Sequence, residues 1–234
     1  MFSLPIVSAA LLYVSALFPH ATLAIPARNH PTLVNLRIEG ADKTIFEGHI
    51  VTRGHNVTTV SGGTHHCDGT NNDENEFPGP TCTSALDDAS KEKGFQWDGT
   101  FFDEFDDYFI TSIGDSTETA TQFWGILLNF QFTPVGGCQQ EVSPTDHILW
   151  AFDAFNAQHF LKLVGPGIAR EGAPTKLTVT DGMTGQPVEG ASVDGETSNA
   201  DGIVSVTFGK KGLHGLKATM DGSIRSNQVN VLVI

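Results

Sequence analysis

The sequence predicts two domains of different class, a mixed α+β domain followed by an all-β sandwich. Three observations carry this. The first part mixes apolar, strand-like runs with one short, capped helical stretch. The last part alternates apolar and polar residues and is punctuated by Asp-Gly pairs. The charge also changes between them. Of the 27 Asp and Glu, 20 lie between Ile25 and Gly165, with only 7 of the 13 Lys and Arg. The rest of the chain is nearly balanced. The break falls at Gly165-Pro166-Gly167, a loop signal, and 234 residues suffice for two small domains.

The chain opens MFSLPIVSAALLYVSALFPHATLA. Met1 to Ala24 hold no Lys, Arg, Asp or Glu, and Thr22 and Ala24 fit the small-residue rule of a cleavage site. Residues 1–24 therefore read as a secretory signal peptide, with a mature protein beginning near Ile25. No later run reaches the roughly 20 apolar residues that a membrane span needs. Secretion permits disulfides, and the chain has three cysteines, Cys67, Cys82 and Cys138. Asn56-Val57-Thr58 is a glycosylation sequon. A net charge of −14 argues against nucleic acid or an anionic membrane as partner.

Within the first domain, Val34, Leu36 and Ile38 form one face of a strand, and Ile45 begins the next. A glycine- and asparagine-rich loop runs from Gly62 to Pro80, long enough to be functional or stapled. Ser84 can cap a short helix, with Asp87 three residues on and Gly94 at its end. Tyr108 to Ile113 suits a strand. The segment ATQFWGILLNFQFTPVGGC reads as an apolar buried strand, a turn and a short strand. DHILWAFDAF reads as the last strand, extended by HFLKLVG. In the second domain, Leu177 and Val179, then Val204, Val206 and Phe208, then Val229, Val231 and Val233 keep the half-buried strand period. Asp181-Gly182, Asp194-Gly195, Asp201-Gly202 and Asp221-Gly222 supply the turns.

Two resemblances add to this. The segments ALDDASKEKGF, YFITSIGD and FWGILLNFQFTPVGGCQQEVSPTDHILWAF resemble the transcobalamin-like C-terminal domain, over residues 32–165. The resemblance implies a compact α+β, β-grasp-like sheet with one helix across it. In vitamin carriers this module covers a corrinoid, so one implied function is a corrinoid-like small-molecule binder. By the same resemblance Phe123, Trp124, Phe130 and Phe132 are the ligand-facing aromatics, with Asn129 offering an amide and Tyr108 nearby. DGMTGQPVEGASV and TSNADGIVSVTF, within residues 168–234, resemble immunoglobulin-like and prealbumin-like β-sandwich modules, which imply a spacer or adhesive unit.

The stretch SGGTHHCDGT, Ser61 to Thr70, admits several chemistries. His65, His66 and Asp68 are candidate ligands for a transition metal, although spaced pairs of the C-x-x-C kind are lacking. A Cys67-His hydrolase would need a free thiolate. Alternatively Cys67 closes a disulfide, to Cys82 locally or to Cys138 across the fold. Members of the resembled family carry the HHC and GGC segments together, which implies Cys67–Cys138 and leaves Cys82 over, free or paired between molecules. The acidic runs, Asp68 to Glu76 and Asp98 to Asp107, lack a D-x-[DN]-x-[DN]-G calcium loop and read as a solvated rim. No cofactor is expected. The functional expectation is a secreted, non-enzymatic protein for ligand binding or cell-surface adhesion. Its partner would be a small molecule, a glycan or a surface protein. The rival is a metal-dependent or acid–base secreted enzyme built on the HHC loop and the acidic cluster.

Overall fold

The computed structural model describes residues 29–234. Residues 1–24, which the sequence reads as a signal peptide, lie outside them. The first part contains β1 (Thr32–Glu39), β2 (Thr44–Thr52), β3 (His55–Thr59), β4 (Gly63–Cys67), α1 (Cys82–Lys93), β5 (Trp97–Phe102), β6 (Asp107–Ile113), β7 (Ser116–Thr117), β8 (Trp124–Leu128), β9 (Gln131–Phe132) and β10 (His147–Phe152). A five-stranded sheet runs in the order β2-β1-β10-β8-β9. Its central pair, β1 and β10, is parallel, from Asn35 opposite His147 to Glu39 opposite Ala151. The β3–β4 hairpin and the β5-β6-β7 sheet stand apart.

The expected α+β, β-grasp-like class is corrected by this arrangement. The described residues are mostly β, with one α-helix among them and their strands divided among six sheets. The helix is too short to cover the apolar face alone. Val57 and Cys67 from the β3–β4 hairpin, and Tyr108, Ile110 and Ile113 from β6, complete the core around Leu36, Leu86 and Trp150. The hairpin was hidden because GTHHC carries no apolar alternation and sits in a stretch that reads as loop.

Helix α1 starts earlier than expected. Thr81, not Ser84, is the N-cap. Its Oγ1 accepts from the Ser84 amide at 3.0 Å, and the Ser84 hydroxyl accepts from the Thr81 amide at 2.8 Å. This reciprocal box satisfies two otherwise orphaned donors. Gly94 ends the helix in the left-handed region, as its position predicts.

The second part contains β11 (Leu161–Val164), β12 (Ile168–Ala169), β13 (Pro174–Asp181), β14 (Ser192–Val193), β15 (Glu196–Thr197), β16 (Ile203–Thr207), β17 (Gly212–Leu216), β18 (Ala218–Thr219) and β19 (Val229–Val233). They form three sheets, β11-β13-β16, β12-β19-β17 and β15-β14-β18. Leu177, Val179, Val204, Val206, Val231 and Val233 bury into one apolar cluster. One boundary differs from the sequence reading. HFLKLVG does not extend the last strand of the first domain. Leu161 to Val164 pair with β13, and Leu161 and Leu163 join the second core.

The five-stranded sheet is covered on both faces. One side of β1 (Val34, Leu36, Ile38) faces α1; the other side carries Asn35, Arg37 and Glu39 toward the second part. A third apolar cluster (Leu127, Leu149, Ala151, Ala154, Phe160, Ile224) closes that seam. Beside it Glu39, only 1% exposed, meets Lys217 Nζ at 2.6 Å and Arg225 Nε at 2.9 Å.

Candidate functional site

Next to the Glu39 joint the seam opens into a groove of about 660 Å³, within the usual range for small-molecule sites. Its floor is β1, β2 and β10, through Arg37, His49, His147 and Leu149. Its far wall is Lys162, Leu163 and Val164 of β11, with Asn227, Gln228 and Asn230. Asn129 and Phe130 close one end. These two residues form the tight turn between β8 and β9, both with positive φ, 52° and 64°. A phenylalanine there is strained. The turn is held because Asn129 Nδ2 donates to Asp146 at 2.8 Å and its Oδ1 accepts from the His147 amide at 3.0 Å. The Phe130 ring lies so close to Gly182 that any Cβ at that position would sit 2.1 Å from it.

The groove is basic in an acidic protein. Arg37 and Lys162 both approach the Phe130 ring, at 5.5 and 5.8 Å from its centroid, a cation–π arrangement. Glu47 is already engaged by Lys217 at 2.8 Å. Arg37 is 7% exposed and its Nη1 is buried without an acceptor. Its nearest carboxylate oxygen, on Glu39, is 3.8 Å from Nε, beyond hydrogen-bond range. Burial pulls the Arg37 guanidinium below its ordinary pKa, opposed by Glu39 and Glu47. Partial burial, then Lys162 and Arg37, likewise lower the His147 imidazole, which favours its neutral form.

Of the aromatic candidates, only Phe130 reaches this groove, together with Asn129. Tyr108 is a core residue whose hydroxyl lies 2.9 Å from the carbonyls of Val57 and Gly63. Trp124 is 6% exposed, packs edge-on to Phe152, and donates to the Ser116 carbonyl. Phe123 rests on Phe109, and Phe132 stacks on Phe155, both outside the groove. Sequence reasoning missed Arg37, Lys162, His49 and His147. The available signal was Arg37 itself, a long charged side chain in the middle of VNLRIE, where alternation reads as a solvent face.

The HHC stretch separates into different surroundings. His65 and His66 are neighbours on a strand, so they point to opposite faces. His65 stacks on Phe101 at 3.5 Å between centroids. His66 places Nε2 3.1 Å from Asp106 and Nδ1 3.4 Å from Asp68. The three proposed metal ligands therefore do not converge. The grouping with ligand-like spacing among the described residues is His55, Asp87 and Asp88. There Lys91 already pairs with Asp87, and the hydrogen bond of His55 to Asp88 raises the imidazole pKa. Asn56 of the sequon is exposed.

Cys67 is bridged to Cys138, closing 71 residues of chain. Cys82 is free and fully buried at the start of α1, and burial pushes its thiol pKa well up. Its burial removes the basis for dimers linked through Cys82. Beside the bridge, Asp107 accepts from the amides of Tyr108 at 2.7 Å and Cys138 at 3.0 Å. Gly136 leaves room for that carboxyl, since a Cβ there would lie 2.2 Å from it.

Burial outweighs these amides and pushes the Asp107 carboxyl up to about 7. The native state thus holds a proton that the unfolded chain releases near its ordinary pKa of 3.8. The contribution is complete below that value and is lost as pH rises through about 7. Asp107→Asn keeps an acceptor for the amides but cannot ionise. We expect the stability difference between the variant and the wild type to move in favour of the variant by up to about 4 kcal/mol from pH 4 to pH 8. Urea unfolding at both pH values measures this, and a pH-independent difference would exclude it.

Sequence comparison adds one finding to this geometry. Residues 79–154 match a domain of unknown function, DUF4430. No curated protein matches the chain. The matched segment runs from the approach to α1 through β10, and so includes Cys138, Phe130 and the floor residue His147. It excludes β1, the HHC stretch and all of β11.

Proposed function

We propose that the protein is an extracellular, non-enzymatic binding protein that captures a small ligand in the groove between its two parts. The groove is the observation that carries this reading. It sets apolar surface on Phe130 and Val164 among convergent polar and charged groups that can fix a ligand's orientation. DUF4430 occurs in transcobalamin-like proteins, which favours ligand capture over adhesion alone. The second part then acts as one wall of the site as well as a spacer. Secretion is supported by the leader-like residues 1–24, by the Cys67–Cys138 bridge, which suits an oxidising compartment, and by the exposed sequon. No helix among the described residues is long and apolar enough to cross a membrane.

Native mass spectrometry of the protein from its own source tests the reading. The expected result is an extra non-covalent mass. Val164, 55% exposed on the groove wall, can be enlarged without disturbing the core. Val164→Trp is expected to abolish the extra mass and to change unfolding stability by no more than about 0.5 kcal/mol, as for an ordinary surface substitution. A wild-type protein without extra mass, or a mass retained in Val164→Trp, would overturn the assignment.

A further inference from the structure

We infer that the groove is built for a small amphiphilic anion, an oxyanion head held by Arg37 and Lys162 and an apolar body lying on Phe130 and Val164. This rests on the groove being the ligand site, and it names the class of ligand. The observation behind it is Arg37. An arginine carries five donors and cannot shed its charge. Here it is 7% exposed, its Nη1 is buried without a hydrogen-bond partner among the described residues, and the Glu39 carboxylate is 3.8 Å from its Nε. Burying an uncompensated charge is costly, and native proteins pair or hydrogen-bond such groups. Glu39, the one carboxylate near enough to serve, is instead taken by Lys217 and Arg225.

The missing acceptor must come from outside the described chain. A carboxylate, sulfonate or phosphate fits the guanidinium fork. Lys162 from the opposite wall adds a second positive charge beside the same ring. The protein carries net charge −14, so two cations facing one concave, largely apolar space are a local feature and not a property of the whole surface. Val164, 55% exposed, and the Phe130 ring are the apolar surface beside the two cations, and an apolar part of the ligand would lie on them.

Calorimetric titration of the whole protein with octanoate and with 1-octanol separates the head from the body. Octanoate is expected to bind at least ~10-fold more tightly than octanol, the effect of one charge-assisted interaction. In Arg37→Met that preference should disappear, with octanol binding unchanged. Ligand-free Arg37→Met should melt no lower than wild type, because an unpaired charge has been removed; a purely structural arginine would show the opposite. Lys162→Met, at a solvent-facing strand position, should narrow the preference without removing it. If both probes bind equally to wild type and compete with the native ligand, the groove stands and the anion class is wrong. If neither binds and Val164→Trp leaves the native mass in place, the groove itself is wrong.

Discussion

Replacing both bridged cysteines, Cys67→Ala with Cys138→Ala, is expected to lower unfolding stability by about 4 kcal/mol and the melting temperature by roughly 10 °C. The bridge closes a 71-residue loop. In the chain-entropy account, that constraint acts mainly on the unfolded state. It ties β4 to the turn that leads toward β10, across a core that holds only one helix. Local hydrogen bonds meet at the same place, Gly69 donating to the Cys138 carbonyl at 2.9 Å and Asp107 accepting from the Cys138 amide. Differential scanning calorimetry measures the effect. A loss below about 1 kcal/mol would mean that these hydrogen bonds, and not the staple, hold the loop.

Glu39→Gln is expected to cost about 3 kcal/mol, because it takes a buried carboxylate from two half-buried cations. Lys217 and Arg225 converge on Glu39 from the second part, and Thr44 donates to it from the first. Lys217 keeps Glu47, while Arg225 keeps only the carbonyls of Gly40 and Ala41. The loss should persist in 1 M salt, since so buried a network is poorly screened. The triple variant Glu39→Leu, Lys217→Met, Arg225→Met removes the three charges that meet at this joint, leaves Glu47, 24% exposed, to solvent, and is expected to recover most of the loss. Urea unfolding of the two variants checks both statements. A triple variant as unstable as Glu39→Gln would show that the joint depends on shape or backbone contacts and not on charge compensation.

These two sites differ in how visible they were. The cysteines could be counted, and the resemblance pointed to Cys138. Glu39 and Arg37 could not be recognised, although both lie in a strand whose apolar face was plain. In VNLRIE the period of two separates Val34, Leu36 and Ile38 from Asn35, Arg37 and Glu39. Alternation shows that the second set faces away from the first core. It does not show whether that side meets water or another layer of protein. The same limit explains Tyr108 and Trp124. Their aromatic character suits both a ligand wall and a core, and packing against Phe101 and Phe152 places them in the core.

By itself the sequence determined what depends on a few adjacent residues. The Gly94 end of α1 and the alternating strands of the second part are local, because caps and strand period are set by neighbouring backbone and side chains. Only the tertiary structure decided the rest. Leu161 to Val164 pair with β13 instead of extending β10, and GTHHC pairs as a strand with β3. Arg37, Phe130 and Lys162 come from three distant segments to meet around one groove. Each of these depends on which surfaces cover one another, and burial is a property of the assembled layers that no local pattern encodes.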